Sequence, residues 1–292
     1  MKRKGIILAG GSGSRLYPST SVNSKQLLPI YDKPLIYYPI STLMYGGIRE
    51  ILLISTPNHI DLFKELLGNG ENFGLQIQYK VQKKPEGIAQ SLLLAKSFLK
   101  GAPCALILGD NIFYGPGLRE KLKEANLKKE GATIFGYTVK DPERYGVVKV
   151  DKNGKPSKIS EKPRKPKSNL AVTGLYFYDN KAVDYVKKLK PSKRGELEIT
   201  DLNRLYMENG DLSLQTFSRG FAWLDTGTPE SLHDASTFIR LIEERQNFKI
   251  SCLEEIAFKN NWINKKSIKR KFKNRSDTYS KYLMRVIEDE GT

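Results

Sequence analysis

The chain opens with a short apolar segment that ends abruptly in a glycine-rich turn. Residues 6–9 read IILA and residues 10–15 read GGSGSR, a change typical of a buried strand that leads into a turn. Glycines let backbone N–H groups approach an anion closely, and Ser14, Arg15 and Lys25 add a hydroxyl and two cations. The segment has neither the Gly-Lys-Ser/Thr of a Walker A loop nor the third glycine of G-x-G-x-x-G. We therefore predict a phosphate-binding turn at the carboxyl end of the first strand.

Strand-like and helix-like segments alternate through the first half of the chain, which is typical of βαβ units and a parallel sheet. After residue 131 longer strands and turns predict an antiparallel region. The predicted strands are 5–9, 51–56, 75–81, 104–109, 132–139, 145–150, 170–178 and 213–217, and the predicted helices are 35–46, 59–68, 87–99, 117–129, 180–189, 197–209, 229–245 and 252–260. We predict an α/β fold with a Rossmann-like, mostly parallel central sheet flanked by helices, an antiparallel region and a small helical C-terminal extension.

The composition is that of a globular protein. Hydrophobic residues make up 39% of the 292 residues and aromatic residues 10%, enough for a sizeable core. Cys104 and Cys252 are far apart and have no partners at metal-ligand spacing, so we expect two buried, reduced thiols. No segment has the length of a membrane span, and the basic N-terminus leads into a strand instead of a signal-peptide core. We expect a cytoplasmic protein that does not bind membranes.

The formal net charge of +17 is unevenly distributed. Residues 260–275 contain seven lysines and arginines and no acidic residue. Such a balance suits a solvated surface, the attraction of polyanionic substrates, or nucleic-acid binding. The sequence has no helix-turn-helix, zinc cluster or RNA-binding aromatic motif, so we expect no specific nucleic-acid site.

Several motifs occur together in the order found in one enzyme family. They are LAGGSGSRLYP and SKQLLPIYDKP near the N-terminus, then KVQKKPEGIAQ, LGDNIFYG, DPERYGVV, EKP, AVTGLYFYD, RGELEITD and AWLDTGT. From Met1 to about Phe258 the chain resembles the sugar-nucleotide pyrophosphorylases. The resemblance implies transfer of a thymidylyl group from dTTP to α-D-glucose 1-phosphate, giving dTDP-glucose and pyrophosphate, as the first step of dTDP-L-rhamnose or deoxysugar biosynthesis. It also implies Mg²⁺ as cofactor and a cytoplasmic homotetramer built as a dimer of dimers.

Two alternatives within this family stay open at the level of sequence. One is the use of UTP in place of dTTP, because thymine and uracil differ by a single methyl group, which binding pockets discriminate weakly. The other is a catalytically silent regulatory relative. The charged residues that the family motifs contain are retained in this chain, which argues against the second alternative.

Two aspartates are candidates for metal binding. Asp110 follows the apolar run 104–108 and Gly109, a position that suits a Mg²⁺ ligand beside a nucleotide phosphate but also an ordinary turn. Asp225 precedes a helix for which Thr228 is the predicted N-cap. Because Mg²⁺ takes one or two protein carboxylates and fills its shell with water and phosphate oxygens, two aspartates match its needs. The resemblance carries both over as metal ligands.

The resemblance also implies the substrate-binding residues. It implies five catalytic residues, namely Arg15, Lys25, Asp110, Lys162 and Asp225. It implies nucleotide binding by Gly10, Gly11, Gly13, Ser14, Arg15, Lys25, Gln26, Gln82, Gly87 and Asp110. It implies sugar-phosphate binding by Asn111, Tyr145, Gly146, Glu161, Lys162, Val172 and Trp223. The amide of Gln82 has both a donor and an acceptor for O4 and N3–H of the base, and Glu161 beside Lys162 offers an acceptor for hydroxyls and a cation for phosphate.

Acidic residues in the segment 195–201 (GELEITD) allow two interpretations. Glu196, Glu198 and Asp201 precede or begin a predicted helix, where acidic residues are favoured by the helix dipole. We interpret them as structural or as lining the sugar site.

The resemblance implies a second nucleotide site and sets the domain limits. The regulatory site would comprise Tyr114, Gly115, Arg219, Ser251, Glu255 and Ile256. We expect a nucleotidyltransferase domain over 1–246, with a nucleotide half at about 1–130 and a sugar-binding part at about 131–227. The helical extension would occupy 247–292, and the match to the family fades beyond Asn260, where the chain becomes basic.

Overall fold

The computed structural model of the chain describes residues 1–11 and 13–289, so Ser12 of the glycine-rich turn lies outside the described residues. The strands are β1 (Lys4–Ala9), β2 (Pro29–Ile30), β3 (Lys33–Pro34), β4 (Glu50–Ser55), β5 (Gln76–Val81), β6 (Cys104–Leu108), β7 (Asn111–Tyr114), β8 (Ala132–Thr138), β9 (Gly146–Val150), β10 (Pro156–Glu161), β11 (Leu170–Tyr178), β12 (Leu212–Thr216) and β13 (Ala222–Asp225). The helices are α1 (Tyr37–Tyr45), α2 (Ile60–Leu67), α3 (Gln90–Leu94), α4 (Lys96–Leu99), α5 (Leu118–Leu127), α6 (Ala182–Val186), α7 (Ile199–Glu208), α8 (Pro229–Gln246), α9 (Leu253–Lys259), α10 (Lys265–Phe272) and α11 (Thr278–Asp289). None of the helices in this described part is long and apolar enough to cross a membrane.

One nine-stranded sheet joins the two halves that the sequence predicts. Strands β6, β1, β4 and β5 pair in parallel, in that order. Strand β11 then pairs antiparallel with β6 and continues the sheet through β9 and β10 on one path and through β8 and β12 on the other. The predicted α/β fold class is confirmed, and the antiparallel region extends the parallel sheet.

Alternating side chains of the parallel strands fill two cores on opposite faces of the sheet. On β1, Ile7 belongs to one core and Ile6 to the other, and both side chains are completely buried. Full burial of an aliphatic side chain of this size contributes about 1.5–3 kcal/mol. The apolar runs that predict the strands are therefore the residues that hold the sheet between its two layers of helices.

A two-stranded ribbon outside the main sheet was not predicted. Strands β7 and β13 pair antiparallel, and Asp225 lies opposite Asn111 in the register. This pairing joins segments more than one hundred residues apart and places the end of β13 beside the end of β6. A smaller difference is that the predicted helix 87–99 consists of two short helices, α3 and α4.

Helix α8 begins as the sequence predicts. The hydroxyl of Thr228 accepts a hydrogen bond from the N–H of Ser231, whose own hydroxyl accepts from the N–H of Thr228, so that the two residues form a capping box. Ala235 and Ile239 of this helix are fully buried against the β2–β3 hairpin.

Four charged residues tie this hairpin to α8 and to the segment after it. The side chains of Lys33 and Glu243 are each 2% exposed and lie 2.8 Å apart, and Lys33 also pairs with Asp32. Lys249 lies 2.5 Å from Asp32 and 2.7 Å from Glu243. We call Asp32, Lys33, Glu243 and Lys249 the hairpin ion cluster.

Helices α9 to α11 form the C-terminal extension. Leu253 and Ile256 of α9 join the main core, whereas Ile268 and Leu283 of α10 and α11 pack in a cluster of their own. Cys252 belongs to that second cluster, and both it and Cys104 are buried free thiols. Burial raises the pKa of Cys104 to about 12. The extension is therefore docked on the main core through α9.

Candidate active site

A cavity of about 810 Å³ lies where β6 and β13 end beside the antiparallel strands. Ligands of open α/β sheets bind at the carboxyl ends of the strands, which is the position of this cavity. Eleven of the residues predicted from the sequence line it: Ser14, Arg15, Asp110, Asn111, Tyr145, Gly146, Glu161, Lys162, Val172, Trp223 and Asp225. The structure thus brings most of the predicted sugar-phosphate and catalytic residues into one space.

The two predicted metal ligands face this cavity together. The N–H and the hydroxyl of Thr226 donate to the backbone oxygen of Asp110, at 3.3 and 3.1 Å, which holds the end of β13 against Asp110. The pKa of Asp225 is raised, mainly because the carboxyl group is buried. The positive charge of Arg144 lowers this pKa and the negative charge of Asp110 raises it, but the net shift is upward. The described residues hold no group of three or more His, Cys, Asp or Glu that could bind a metal. A pair of neighbouring carboxylates suits Mg²⁺, which takes its remaining ligands from water and phosphate.

Lys25 reaches the site through Asp110. Its ammonium lies 2.6 Å from Oδ2 of Asp110, and the residue is only 6% exposed. Lys25 does not line the cavity, so direct contact with substrate phosphates stays a prediction. In this structure its charge fixes and neutralises the carboxylate of Asp110.

Asn111 organises the floor of the cavity. Its side-chain oxygen accepts hydrogen bonds from Nε1 of Trp223 at 2.7 Å and from the N–H of Gly174 at 3.1 Å, and its NH₂ group donates to Oδ1 of Asp110 at 2.9 Å. A Cβ atom on Gly174 would lie 2.6 Å from the Asn111 oxygen, so this close approach requires glycine. The amide of Asn111, predicted to bind sugar phosphate, therefore also orients Asp110 and the indole of Trp223.

Arg15 lies across the turn that follows β13. A Cβ atom on Gly227 would lie 3.0 Å from a terminal nitrogen of the Arg15 guanidinium. Arg15 itself is exposed at the mouth of the cavity. Gly227 was not predicted as a site residue, although its motif AWLDTGT was noted; a glycine in a turn gives no local sign of the side chain that approaches it.

The remaining predicted nucleotide residues do not line the cavity, and several of them contact one another instead. A Cβ atom on Gly10 would lie 2.0 Å from Oε1 of Gln82, and Nε2 of Gln82 donates to Gln90 at 2.7 Å. Gly87 has a φ of +101° and approaches the backbone of Leu197. The predicted residues outside the lining are Gly10, Gly11, Gly13, Lys25, Gln26, Gln82 and Gly87. Recognition of the base by Gln82 stays a prediction.

Glu161 and Lys162 lie on the antiparallel side of the cavity. Oε2 of Glu161 accepts a hydrogen bond from the hydroxyl of Thr200 at 2.5 Å. Lys162 has a φ of +39°, in the left-handed region that favours glycine, and its N–H donates to the oxygen of Tyr145 at 3.0 Å. This conformation is uncommon for a residue that carries a side chain and costs some local backbone strain.

Two arginines of the cavity were not predicted. Arg144 lies 2.7 Å from Asp141 and 3.3 Å from Asp225. Arg194 makes a bidentate contact with Glu198, with both oxygens 2.9 Å from the same nitrogen. Both arginines lie within motifs that carry the family resemblance, DPERYGVV and RGELEITD, but a surface arginine usually has no ligand, so neither is among the predicted site residues.

The acidic segment divides between the cavity and the helix that follows it, and a role in sugar binding stays a prediction. Glu196 and Glu198 line the cavity, where Arg194 lies 3.4 Å from Glu196. Asp201 does not line the cavity and pairs with Arg204 at 2.5 Å.

The predicted regulatory residues lie in two groups away from this cavity. Tyr114 packs against Phe238 with ring centres 5.8 Å apart, Gly115 approaches Phe221, and Arg219 is exposed. In the other group, the hydroxyl of Ser251 accepts from Ser41, Glu255 accepts from Tyr282 and Lys259, and Ile256 is buried. Their regulatory role stays a prediction.

Comparison with known proteins shows relatives along nearly the whole chain. A family model described as "Nucleotidyl transferase" matches residues 4–241. A Neisseria gonorrhoeae relative named glucose-1-phosphate thymidylyltransferase is 56% identical over 285 residues, which cover 97% of this chain and 99% of the relative. A relative of the same name from Xanthomonas campestris pv. campestris is 59% identical over 269 residues, 92% of this chain and 91% of its own length. The longer alignment extends well into residues 247–292, beyond the region where the family motifs occur.

Solved structures of other proteins also match this chain over most of its length. A Bacillus anthracis protein assigned as a glucose-1-phosphate thymidylyltransferase, in complex with sucrose, matches with a TM-score of 0.76 and 45% identity over 82% of this chain and 95% of its own. A UDP-glucose pyrophosphorylase in complex with UDP-glucose matches with a TM-score of 0.74 and 25% identity over 83% of this chain and 100% of its own.

Proposed function

The chain belongs to the nucleotidyl transferase family, and we propose that it transfers a thymidylyl group from dTTP to α-D-glucose 1-phosphate, giving dTDP-glucose and pyrophosphate. The curated relatives named for this reaction are 56% and 59% identical to the chain. The observation that carries the proposal is the single cavity that Asp110 and Asp225 line together with the cations Arg15 and Lys162.

The reaction needs alignment and charge neutralisation more than proton transfer. The ionised phosphate oxygen of glucose 1-phosphate attacks the α-phosphorus of dTTP, a new P–O bond forms, and the bond to the leaving pyrophosphate breaks. Because the nucleophile is already an anion, no general base is required, and the barrier is lowered by positioning and by cations at the phosphates. The exposed guanidinium of Arg15 is suited to the leaving pyrophosphate and the ammonium of Lys162 to the sugar phosphate.

The two aspartates would hold Mg²⁺, which when bound supplies positive charge to the α-phosphate and the leaving group. Lys25 balances the negative charge of Asp110, from which its ammonium lies 2.6 Å. Asn111 holds the other carboxylate oxygen of Asp110 and so fixes the direction of the ligand. Glu161 and the rings of Tyr145 and Trp223, whose centres are 5.1 Å apart, offer an acceptor and an aromatic wall to the glucose.

Three further properties belong to the same proposal. They are a cytoplasmic homotetramer, a place at the first step of deoxysugar biosynthesis, and feedback through the residues around Tyr114 and Ser251. They are what the family resemblance of the sequence implies, and size-exclusion chromatography with light scattering would test the tetramer.

The use of UTP is the second candidate, favoured by the structural match to a UDP-glucose pyrophosphorylase. Purified protein would be assayed for pyrophosphate release with dTTP or UTP and with several hexose 1-phosphates, with the products identified by mass. We expect dTDP-glucose as the main product and a smaller rate with UTP. Failure to form any nucleotide sugar from these pairs would contradict the proposed function, and a preference for UTP would select the second candidate.

A further inference from the structure

A second, smaller cavity lies behind the wall of the active site. Its volume is about 240 Å³, and four lysines, two serines, a valine and a proline line it, with no acidic residue. The lining residues are Val147, Lys149, Lys158, Ser160, Pro163, Lys165, Lys167 and Ser168. We call this cavity the lysine pocket.

The β9–β10 ribbon separates the lysine pocket from the catalytic cavity. Successive side chains of a strand point to opposite faces, so Gly146 and Glu161 line the catalytic cavity while Val147 and Ser160 line the lysine pocket. The third wall of the pocket is the segment 163–168, which begins directly after Lys162. The two cavities thus share one ribbon and one loop.

All four lysines of the pocket are exposed, and two of them are placed where their charges repel each other. Lys149 and Lys158 are directly opposite each other on the antiparallel strands, and like charges in this relation are destabilising. Lys165 and Lys167 add two more cations from the loop. Among the described residues, no carboxylate lies within ion-pair distance of any of the four.

We propose that the lysine pocket is a second anion site that binds a compact polyphosphate of the size and charge of pyrophosphate. Four unpaired cations and two hydroxyls match an ion with several negative charges and oxygen acceptors on all sides. A sugar phosphate would present several hydroxyls, for which the side chains of the pocket offer only the hydroxyls of Ser160 and Ser168 as acceptors and no carboxylate such as that of Glu161 in the catalytic cavity. A nucleoside would need an aromatic face for its base, and the pocket offers only Val147 and Pro163 as apolar surface.

An anion bound in the lysine pocket would affect the catalytic cavity by fixing the position of Lys162. An anion that bridges the strand lysines and the loop lysines fixes the segment that follows Lys162, whose own N–H is bonded to the oxygen of Tyr145. The identification of the ligand as pyrophosphate rests on the proposed function, because pyrophosphate is its product. The anion site itself does not depend on that function.

The test is calorimetric titration of the full chain with inorganic pyrophosphate in the absence of divalent cations. The variant Lys149→Gln/Lys158→Gln removes two charges from the pocket, and Lys265→Gln/Lys266→Gln removes two charges from α10 as a matched control. We expect the first variant to weaken one class of pyrophosphate site by about tenfold or more, and the control to leave it unchanged. Equal weakening in both variants, or none in the first, would overturn the proposal.

Two further measurements separate this site from catalysis. In Arg15→Ala protein, hydrogen exchange should show that pyrophosphate protects the backbone N–H groups of residues 164–169 other than Pro166, and that Lys149→Gln/Lys158→Gln added to Arg15→Ala abolishes the protection. Protection confined to the glycine-rich turn would contradict the proposal, as would glucose 1-phosphate binding to the pocket as tightly as pyrophosphate. The melting temperature without ligand should be equal or higher in Lys149→Gln/Lys158→Gln, because the opposed charges are gone, which also shows that the variant folds.

Discussion

The hairpin ion cluster and the catalytic cavity use the same kinds of residue and differ in how completely the charges are paired. In the cluster, Glu243 meets Lys33 at 2.8 Å and Lys249 at 2.7 Å and also accepts the N–H of Ile250 at 2.8 Å. In the cavity, Arg15 and Lys162 are exposed and have no carboxylate partner in the described part of the chain. Removing one partner of a fully paired buried charge destabilises the fold, whereas charges that lack partners are available to a ligand.

Two aspartates make the contrast sharper. Burial is the largest influence on both Asp32 and Asp225, and it raises the pKa of each. At Asp32 the charges and hydrogen bonds of Lys33 and Lys249 outweigh burial and lower the pKa. At Asp225 the cation of Arg144, 3.3 Å away, does not outweigh burial and the charge of Asp110, and the pKa stays raised. The protein stabilises the first carboxylate itself and leaves the second one to be stabilised by what binds there.

The largest effect is expected when a carboxylate of the cavity is removed. Asp110→Asn and Asp225→Asn should each lower turnover at least about a thousandfold, because neither amide can replace an anionic ligand of Mg²⁺. Pyrophosphate release would be measured at saturating Mg²⁺, with circular dichroism to show that the fold is intact.

The matched control is Asp61→Asn on α2, where the side chain is 83% exposed and pairs with Lys64. Its turnover should equal that of the wild type. Near-normal rates in both cavity variants at saturating Mg²⁺ would remove the metal assignment and with it the contrast between the two groups of charges.

The next effect concerns stability and comes from the ion cluster. Lys33→Met leaves Asp32 and Glu243, both largely buried, with Lys249 as their shared cation. Breaking a buried pair in this way costs about 3–5 kcal/mol, whereas Lys64→Met, which breaks the exposed pair with Asp61, should cost no more than about 1 kcal/mol. Urea unfolding of both variants measures the difference.

For the comparison to hold, Lys33→Met must also leave catalysis nearly unchanged below its unfolding transition. A loss of turnover as large as that of the aspartate variants, in protein that is still folded, would mean that the cluster acts on the site directly.

Substitutions of Arg15 and Lys162 should change different kinetic constants, although both residues are unpaired cations. Arg15→Ala should chiefly lower kcat, by about a hundredfold, because its charge acts where negative charge develops in the transition state. Lys162→Ala should in addition raise the KM for glucose 1-phosphate, because that contact exists in the ground state. Arg164→Ala, an exposed arginine two residues from Lys162, is the control. If Lys162→Ala raised only the KM for the nucleotide, the sugar phosphate would have been placed wrongly.

The sequence predicted the parts of the site that depend on local patterns. The apolar run of β1 and its glycine-rich turn, the run of β6 before Asp110, and the N-cap Thr228 are all signals contained within a few residues. The resemblance to known enzymes supplied Lys162 and Asp225, which local patterns alone would have assigned to a solvated charge run and a turn.

The parts that were missed depend on contacts between distant segments. The pairing of β7 with β13 places Asp225 opposite Asn111, but each strand has only four residues and gives no periodic signal. Likewise, Lys33 meets Glu243 across 210 residues. In both cases the residues have their role only through a partner that no local pattern identifies.

The smallest expected effect is on the melting temperature, which Asp32→Asn and Asp225→Asn should change in opposite directions. The lowered pKa of Asp32 means that folding favours its ionised form, so its contribution to stability is present at neutral pH and is lost as the pH falls through the folded-state pKa. The raised pKa of Asp225 means that folding disfavours the ionised form, so this carboxylate costs stability at neutral pH, and the cost disappears on acidification.

Thermal melting at pH 7 in the presence of a chelator should therefore show a lower melting temperature for Asp32→Asn than for the wild type, and a higher one for Asp225→Asn. In Asp225→Asn, Arg144 still has a carboxylate partner, because it lies 2.7 Å from Asp141. The difference for Asp225→Asn should shrink as the pH falls toward the ordinary aspartate pKa of about 3.8, whereas the difference for Asp32→Asn should shrink only below that pH. Shifts of the melting temperature with the same sign in both variants at pH 7 would contradict this difference between the two carboxylates. Added Mg²⁺ should raise the melting temperature of the wild type but not that of Asp225→Asn, because a bound cation stabilises the folded state that binds it.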